Sequence, residues 1–119
     1  MKSARPDAAI AAAYALGLIL FASVPGPALA DGDAKAGHDK AQKCEQCHGL
    51  DGISKVPEAP NLAGQVQNYL IEQLRAFKAG TRQNEMMSLV APTLTPQDIE
   101  DLAAYYHSIP VTVGKPPGG

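Results

Sequence analysis

The stretch that most constrains this chain is Cys44-Glu45-Gln46-Cys47-His48, which has the spacing C-x-x-C-H. This pattern is typical of the covalent attachment of a c-type haem. Two residues between the cysteines let one helical turn present both thiols to the two vinyl groups of a single porphyrin. His48 follows directly and can bind the iron as an axial ligand. The motif therefore predicts one haem c per chain, with Cys44 and Cys47 as attachment residues and His48 as a metal ligand.

Other uses of the motif fit the sequence less well but stay open. A thioredoxin-like dithiol needs a βαβ context, and no strand pattern surrounds residues 44–48. A structural zinc site needs four ligands, whereas the chain holds two cysteines, and His38 and His107 lack finger-like spacing. A plain disulfide would close a tight, strained loop. A chance occurrence of the five letters is the remaining alternative.

Residues 1–30 have the pattern of a secretory signal peptide. Lys2 and Arg5 precede an apolar run over residues 8–24, which ends at Pro25-Gly26-Pro27. Ala28-Leu29-Ala30 then offers the small-x-small pattern of a cleavage site. We therefore expect export to the periplasm with cleavage after Ala30. The alternative is an uncleaved membrane anchor, for which this run is at the short end of the required length.

The chain beyond residue 30 is a small and mildly acidic domain. It carries eight Lys and Arg against eleven Asp and Glu, so nothing in it is basic enough for nucleic-acid binding. A domain of this size is only marginally stable without a cofactor, and a buried haem would supply an apolar centre. We expect the domain to span residues 31–110. Residues 111–119 are rich in Pro and Gly and are predicted to be disordered.

Three segments have helical character, and together they predict an all-α fold. Residues 33–46 have a helix-favouring composition around Gly37. Residues 65–79 form an amphipathic pattern that ends at Gly80. The last helix has Thr95 as its N-cap with Asp98 closing a capping box. No helical period is seen over residues 53–63 or 81–94.

Two connecting segments hold candidate residues: one holds a hydrogen-bond acceptor for the first iron ligand, and the other holds candidates for the second ligand. Pro60 lies 12 residues after His48, and its carbonyl could accept a hydrogen bond from the second ring nitrogen of a metal-bound histidine. Met86 and Met87 are the only methionines besides Met1. A thioether on the sixth iron position would raise the reduction potential, but spacing does not choose between them. Tyr69 is interpreted as a core aromatic with its hydroxyl at the rim, and a hydrogen bond from that hydroxyl to a haem propionate is the alternative.

Taken together, these features resemble class I cytochrome c, in particular one half of the two-haem, two-domain bacterial members. The matching stretches are Ala36-Gly37, residues 44–49, residues 60–65, Tyr69-Leu70, residues 77–82, Met86-Met87 and residues 94–106. The resemblance implies a compact fold with three main helices around one covalently bound haem. It also implies that the first and last helices cross at Gly37, against one of the aromatic pair Tyr105-Tyr106.

The same resemblance implies roles for individual residues. In relatives the ligand lies five residues after the arginine equivalent to Arg82, which selects Met87 over Met86. Gln65 and Arg82 fall where relatives approach the haem propionates. One departure is that this chain has a single haem motif, so a monomer cannot pass electrons between two haems.

The function implied is that of a periplasmic one-electron carrier rather than an enzyme. Its partners would be redox proteins, such as an oxidase, a reductase or a dehydrogenase, docking transiently through a small interface. One alternative is an enzyme or gas sensor with an open iron position. Another is the haem subunit of a larger dehydrogenase or reductase.

Overall fold

The computed structural model describes residues 31–118, which fold into helices connected by loops. In chain order the helices are α1 (Ala34–Lys40), α2 (Glu45–His48), α3 (Gln67–Ala79), α4 (Met87–Val90) and α5 (Pro96–Ser108), with 3₁₀ turns at Ala41–Lys43 and Ala91–Thr93. This part of the chain contains no strand, which confirms the all-α prediction. None of these helices is long and apolar enough to cross a membrane. The predicted signal peptide, residues 1–30, lies outside the described residues.

The first helical region is divided, whereas the composition predicted one helix over residues 33–46. α1 ends at Lys40 and the chain tightens into a 3₁₀ turn, in which the Cys44 N–H donates to the Ala41 carbonyl at 2.8 Å. A separate single turn, α2, then begins after Cys44 and ends at His48. The tighter i to i+3 bonding shifts the direction of the backbone between α1 and the haem motif.

Helix α3 ends, and helix α5 begins, where the sequence predicts. Gly80 has φ 75° and closes α3 in the left-handed conformation that glycine adopts without strain. At the start of α5, the Asp98 N–H donates to Thr95 Oγ1 at 3.1 Å, and the Thr95 N–H donates to Asp98 Oδ2 at 2.9 Å. This reciprocal pair is the predicted capping box.

α1 crosses α5 at Gly37, as the resemblance implied. A Cβ atom placed on Gly37 would lie 2.0 Å from the Asp101 carbonyl oxygen and 2.7 Å from the Tyr105 Cβ. Only a glycine therefore allows the two backbones to come this close. The crossing positions the haem motif, which follows α1, beside the C-terminal half of α5.

A cluster of charged side chains also joins α1 to α5. Lys40 Nζ lies 2.8 Å from Asp98 Oδ1 and contacts Asp101 Oδ2 at 2.5 Å. Asp101, only 3% exposed, also accepts hydrogen bonds at 2.9 Å from the Asp33 N–H and from Gln97. The sequence predicted Asp98 as part of the capping box, but it did not predict that Asp98 and Asp101 pair with Lys40.

These contacts set the pKa values of the cluster. Hydrogen bonding to Lys40, and then to the Thr95 N–H, lowers the pKa of Asp98 from 3.8 to about 2. Burial raises the pKa of Asp101, but hydrogen bonds from the Asp33 N–H, Lys40 and Gln97 outweigh it, so the net shift is downward. Hydrogen bonds to both carboxylates raise the pKa of Lys40. The cluster is therefore fully charged at neutral pH.

Residues 111–118 lie outside the helices and are exposed. Val111 is exposed too, but its side chain lies close to Gly64: a Cβ atom added to Gly64 would lie 2.7 Å from Val111 Cγ2. The disorder of this tail remains a prediction.

Replacing Lys40 by Met should lower the free energy of unfolding at pH 7 by about 1–2 kcal/mol, since charged hydrogen bonds are lost at a partly exposed site. A carboxyl group whose pKa is depressed in the folded state stabilises the fold above its unfolded pKa, and that stability is lost as the pH falls through the folded value. For Asp98 this window runs from 3.8 down to about 2. The variant should therefore lose less stability than the wild type between these pH values.

Urea unfolding of the holoprotein at pH 7 and at steps down to pH 2 measures both effects. Lys35→Met is the matched control, because Lys35 lies on the same helix and its side chain has no ion pair among the described residues. An identical pH dependence in Lys40→Met and the wild type would contradict the role of the cluster.

Candidate haem site

Both cysteines of the motif lie on one helical turn, with their thiols free. Cys44 is the N-cap of α2 and Cys47 lies within it, and each is partly buried. The His48 N–H donates to the Cys44 carbonyl at 2.9 Å, which closes the turn. The turn thus carries two thiols, at positions 44 and 47, and an imidazole at position 48, as the sequence predicts.

His48 is buried, with 8% of the residue exposed, and its Nδ1 is 2.9 Å from the Pro60 carbonyl oxygen. A carbonyl oxygen can only accept a hydrogen bond, so Nδ1 must carry the proton. In the neutral ring the lone pair is then on Nε2, the nitrogen that remains for a metal. The structure contains the hydrogen bond that the sequence predicted, and this bond selects the tautomer that can bind iron.

The loop that carries Pro60 is connected back to the haem motif by backbone hydrogen bonds. The Lys55 N–H donates to the Cys47 carbonyl at 2.9 Å. The Gly52 carbonyl accepts from the N–H groups of Leu62 and Ala63 at 2.8 and 3.0 Å. Gly52 has φ 70°, and a Cβ there would lie 2.6 Å from the Ala63 nitrogen. These bonds fix the Pro60 carbonyl relative to α2.

Two tyrosines of α5 hold the backbone that directly follows His48. The Tyr105 hydroxyl donates to the Leu50 carbonyl at 2.6 Å, and the Tyr106 hydroxyl donates to the Gly49 carbonyl at 3.3 Å. Burial raises the pKa of Tyr106, so its hydroxyl stays protonated and able to donate. Sequence reasoning found the aromatic pair as a packing element but not these hydrogen bonds, because nothing in the spacing shows which carbonyls the hydroxyls reach.

The Cys44 thiol lies in the same environment. Burial raises its pKa, and this outweighs the opposing effects of the Lys43 charge and of a hydrogen bond with the Tyr106 hydroxyl. Cys44 also packs against the core cluster that contains Ala41, Leu102 and Tyr106. The attachment point therefore lies at the edge of the polypeptide core.

The methionine pair lies at the start of α4, a short helix that the sequence did not predict. Met86 is its N-cap and is 56% exposed, whereas Met87 is its first residue and is partly buried. Both backbone N–H groups donate to Asn84 Oδ1 at 3.0 Å. A helix of four residues shows too little periodicity to be recognised in a sequence.

Gln65 lies just before the start of α3, and Tyr69 lies in the first turn of that helix. The sequence predicts Tyr69 as a core aromatic, but Tyr69 is 46% exposed and so does not belong to the polypeptide core. Gln65 is partly buried, and its carbonyl accepts a hydrogen bond from His107 Nδ1 at 2.8 Å. Contact of either side chain with a haem propionate remains a prediction.

Arg82 is held against α3. Its guanidinium carbon lies 4.5 Å from the centre of the Phe77 ring, and Nη1 donates to Gln73 Oε1 at 2.7 Å. Its N–H also donates to the Ala76 carbonyl at 3.1 Å. These contacts give Arg82 a structural role at the start of the methionine-bearing segment, and a contact with a propionate remains a prediction.

The donors present fit a c-type haem. They are two free thiols on one turn, an imidazole whose Nε2 is free to bind metal, and a partly buried thioether. Between residues 31 and 118 there is no group of three or more His, Cys, Asp and Glu side chains able to hold a metal. The zinc alternative thus finds no support in this part of the chain.

The helical fold and this donor set define a haem c protein, and comparison with known proteins gives its family. The sequence model described as "Cytochrome c" matches residues 34–110, so the chain belongs to the cytochrome c family. A cytochrome c domain binds haem c covalently, and Cys44 and Cys47 form the attachment motif of this one.

Individual relatives agree with this assignment. The chain is 42% identical over 107 residues to cytochrome c4 of Stutzerimonas stutzeri, an alignment that covers 82% of this chain and 50% of the relative. It is 44% identical over 80 residues to cytochrome c-554(548) of Halomonas halodenitrificans, covering 65% of this chain and 96% of the relative.

A solved structure shows the same fold. The crystal structure of reduced recombinant cytochrome c4 from Pseudomonas stutzeri matches with a TM-score of 0.64 at 42% identity, covering 70% of this chain and 48% of the other. The chain spans about half the length of the cytochrome c4 relatives it matches, which confirms the resemblance to one half of the two-haem members.

Removing the Tyr106 hydroxyl should destabilise the fold, because the buried Gly49 carbonyl would lose one of its two donors and keep only the Gly52 N–H at 3.2 Å. We expect Tyr106→Phe to lower the free energy of unfolding by about 1 kcal/mol, measured by urea denaturation of the holoprotein at pH 7. Ser108→Ala is the control, since it removes an exposed hydroxyl from the same helix. Equal losses in the two variants would contradict this account of Tyr106.

Proposed function

We propose that this protein is an electron carrier whose haem iron is bound by His48 on one side and Met87 on the other. The observation that carries the proposal is the fixed tautomer of His48, whose Nδ1 is engaged with Pro60 and whose Nε2 is left for the iron. A haem c held by these residues would supply reversible one-electron chemistry.

The contacts of the residues around the motif support such a role, because they would hold the ligand histidine and the backbone beside it in place when the iron changes its redox state. The hydrogen bond from Nδ1 to Pro60 orients the ring and raises the basicity of Nε2. Two thioether bonds, from Cys44 and Cys47, would fix the porphyrin relative to α2. The Tyr105 hydroxyl holds the next turn of backbone. A site with its ligands held in this way changes little in geometry when the electron arrives or leaves.

Met87 is the better candidate for the second ligand. It is partly buried, whereas the neighbouring Met86 is 56% exposed. The two lie on consecutive residues at the start of a helical turn, so their side chains leave the backbone in different directions. A thioether ligand favours ferrous iron and raises the reduction potential, and with histidine it would fill both axial positions.

We further propose that the chain is exported to the periplasm and cleaved after Ala30. There it would exchange electrons with an oxidase, a reductase or a dehydrogenase through a small, short-lived interface. Support comes from the signal-like pattern over residues 1–30 and from the need of a carrier to dissociate quickly from its partners. N-terminal sequencing of the exported protein tests the cleavage site directly.

Substitution of each methionine tests the ligand assignment. The ferric wild-type protein should show the long-wavelength absorption band of sulfur-to-iron charge transfer, and the reduced protein should not bind CO. Met87→Ala should lose the band and bind CO, because the sixth position becomes free. Met86→Ala is the matched control and should keep the band and exclude CO.

The reverse pattern, with the band lost only in Met86→Ala, would move the ligand to Met86 and leave the carrier function intact. CO binding by the reduced wild type, together with no sulfur band, would contradict the carrier and favour an enzyme or gas sensor.

A further inference from the structure

We infer that Asn84 is a positioning residue that keeps the Met87 sulfur on the iron. The inference rests on the proposed function, since it takes Met87 as the ligand. It concerns the methionine segment, defined as residues 81–94, which connects α3 to α5. The observation behind it is that one side-chain oxygen accepts the backbone N–H groups of both methionines.

The hydrogen bonds around Asn84 form a closed set. Its Oδ1 accepts from the N–H groups of Met86 and Met87, each at 3.0 Å. Its own N–H donates to Ser88 Oγ at 3.0 Å, and the Ser88 N–H donates to the Asn84 carbonyl at 2.9 Å. The Asn84 side chain thereby plays the part of an N-cap for the turn that carries Met87.

Both ends of the methionine segment are fastened to α3. At the first end, the Arg82 N–H donates to the Ala76 carbonyl at 3.1 Å, and its guanidinium lies over Phe77. At the other end, Lys78 Nζ donates to the carbonyls of Pro92 and Leu94 at 3.1 and 2.5 Å. With the ends fixed, the conformation of the turn between them decides where the Met87 side chain lies.

Burial contributes little to holding that turn. α4 has four residues and none of them is buried, and residues 83–86 before it are exposed. A helix this short is not stable on its own in water. Besides the backbone bonds by which the Leu89 and Val90 N–H groups donate to the Met86 carbonyl, the hydrogen bonds of Asn84 and Ser88 hold the start of the turn.

Loss of these bonds should raise the fraction of molecules in which the sulfur has left the iron. An external ligand binds only to that fraction, so its apparent affinity increases in proportion to it. Removing an asparagine cap typically shifts a local equilibrium about fivefold. We therefore expect imidazole to bind about fivefold more tightly to ferric Asn84→Ala than to the wild type.

The experiment is a titration of the ferric holoprotein with imidazole at pH 7. Loss of the sulfur-to-iron absorption band measures how much imidazole has bound. Asn84→Asp should behave nearly as the wild type, because its carboxylate keeps an acceptor oxygen in the same place. Asn68→Ala is the control, since Asn68 is an exposed asparagine on α3 whose side chain makes no hydrogen bond within residues 31–118. Urea unfolding of the same variants shows whether a change in imidazole affinity merely follows global stability.

Tighter imidazole binding in Asn84→Ala, with Asn84→Asp and Asn68→Ala near the wild-type value, supports the inference. An imidazole affinity of Asn84→Ala equal to that of the wild type overturns the inference. The ligand assignment still stands in that case, provided that the wild type shows the band and Met87→Ala loses it. Absence of the band from the wild type overturns the ligand assignment and this inference with it. If Asn84→Ala fails to fold, Asn84→Leu replaces it, because leucine has a similar shape but no acceptor oxygen for the Met86 and Met87 N–H groups, and an unchanged affinity there overturns the inference.

Discussion

The hydrogen bond from His48 Nδ1 to the Pro60 carbonyl is the interaction on which the site depends. It joins α2 to a loop without helical structure, and it fixes the proton on one ring nitrogen so that the other can bind iron. The loop in turn is held by the Gly52 carbonyl, which accepts two N–H groups. The histidine is thus oriented by backbone geometry on one side and by the covalent motif on the other.

The helices serve mainly to bring this turn to the edge of a small core. α1 reaches α5 through the close approach at Gly37 and through the charged cluster of Lys40, Asp98 and Asp101. The core cluster draws most of its members from α5 and α3, and Cys44 and Leu50 pack against it from the haem motif. A domain with so few buried side chains gains much of its apolar centre from the group it binds.

The sequence predicted the parts of this arrangement that rest on local rules. Covalent chemistry fixes the spacing of Cys44, Cys47 and His48, and the capping box at Thr95 and the stop at Gly80 follow from single-residue preferences. The sequence did not predict the break after Lys40 or the exposure of Tyr69, because these depend on tertiary packing, and it did not predict α4 because a helix of four residues shows too little periodicity. The role of Asn84 was missed for a related reason, since asparagine before a methionine pair is equally typical of an unstructured loop.

The central claim is that one haem is covalently attached to this chain through Cys44 and Cys47. Pyridine haemochrome spectroscopy of the purified exported protein tests it most directly, because the position of the absorption maximum reports whether the vinyl groups have reacted with thiols. We expect the spectrum of a c-type haem, one per chain, that remains with the polypeptide through acid–acetone extraction. A haem with unreacted vinyl groups that is removed by extraction, or a polypeptide mass without haem, would contradict it.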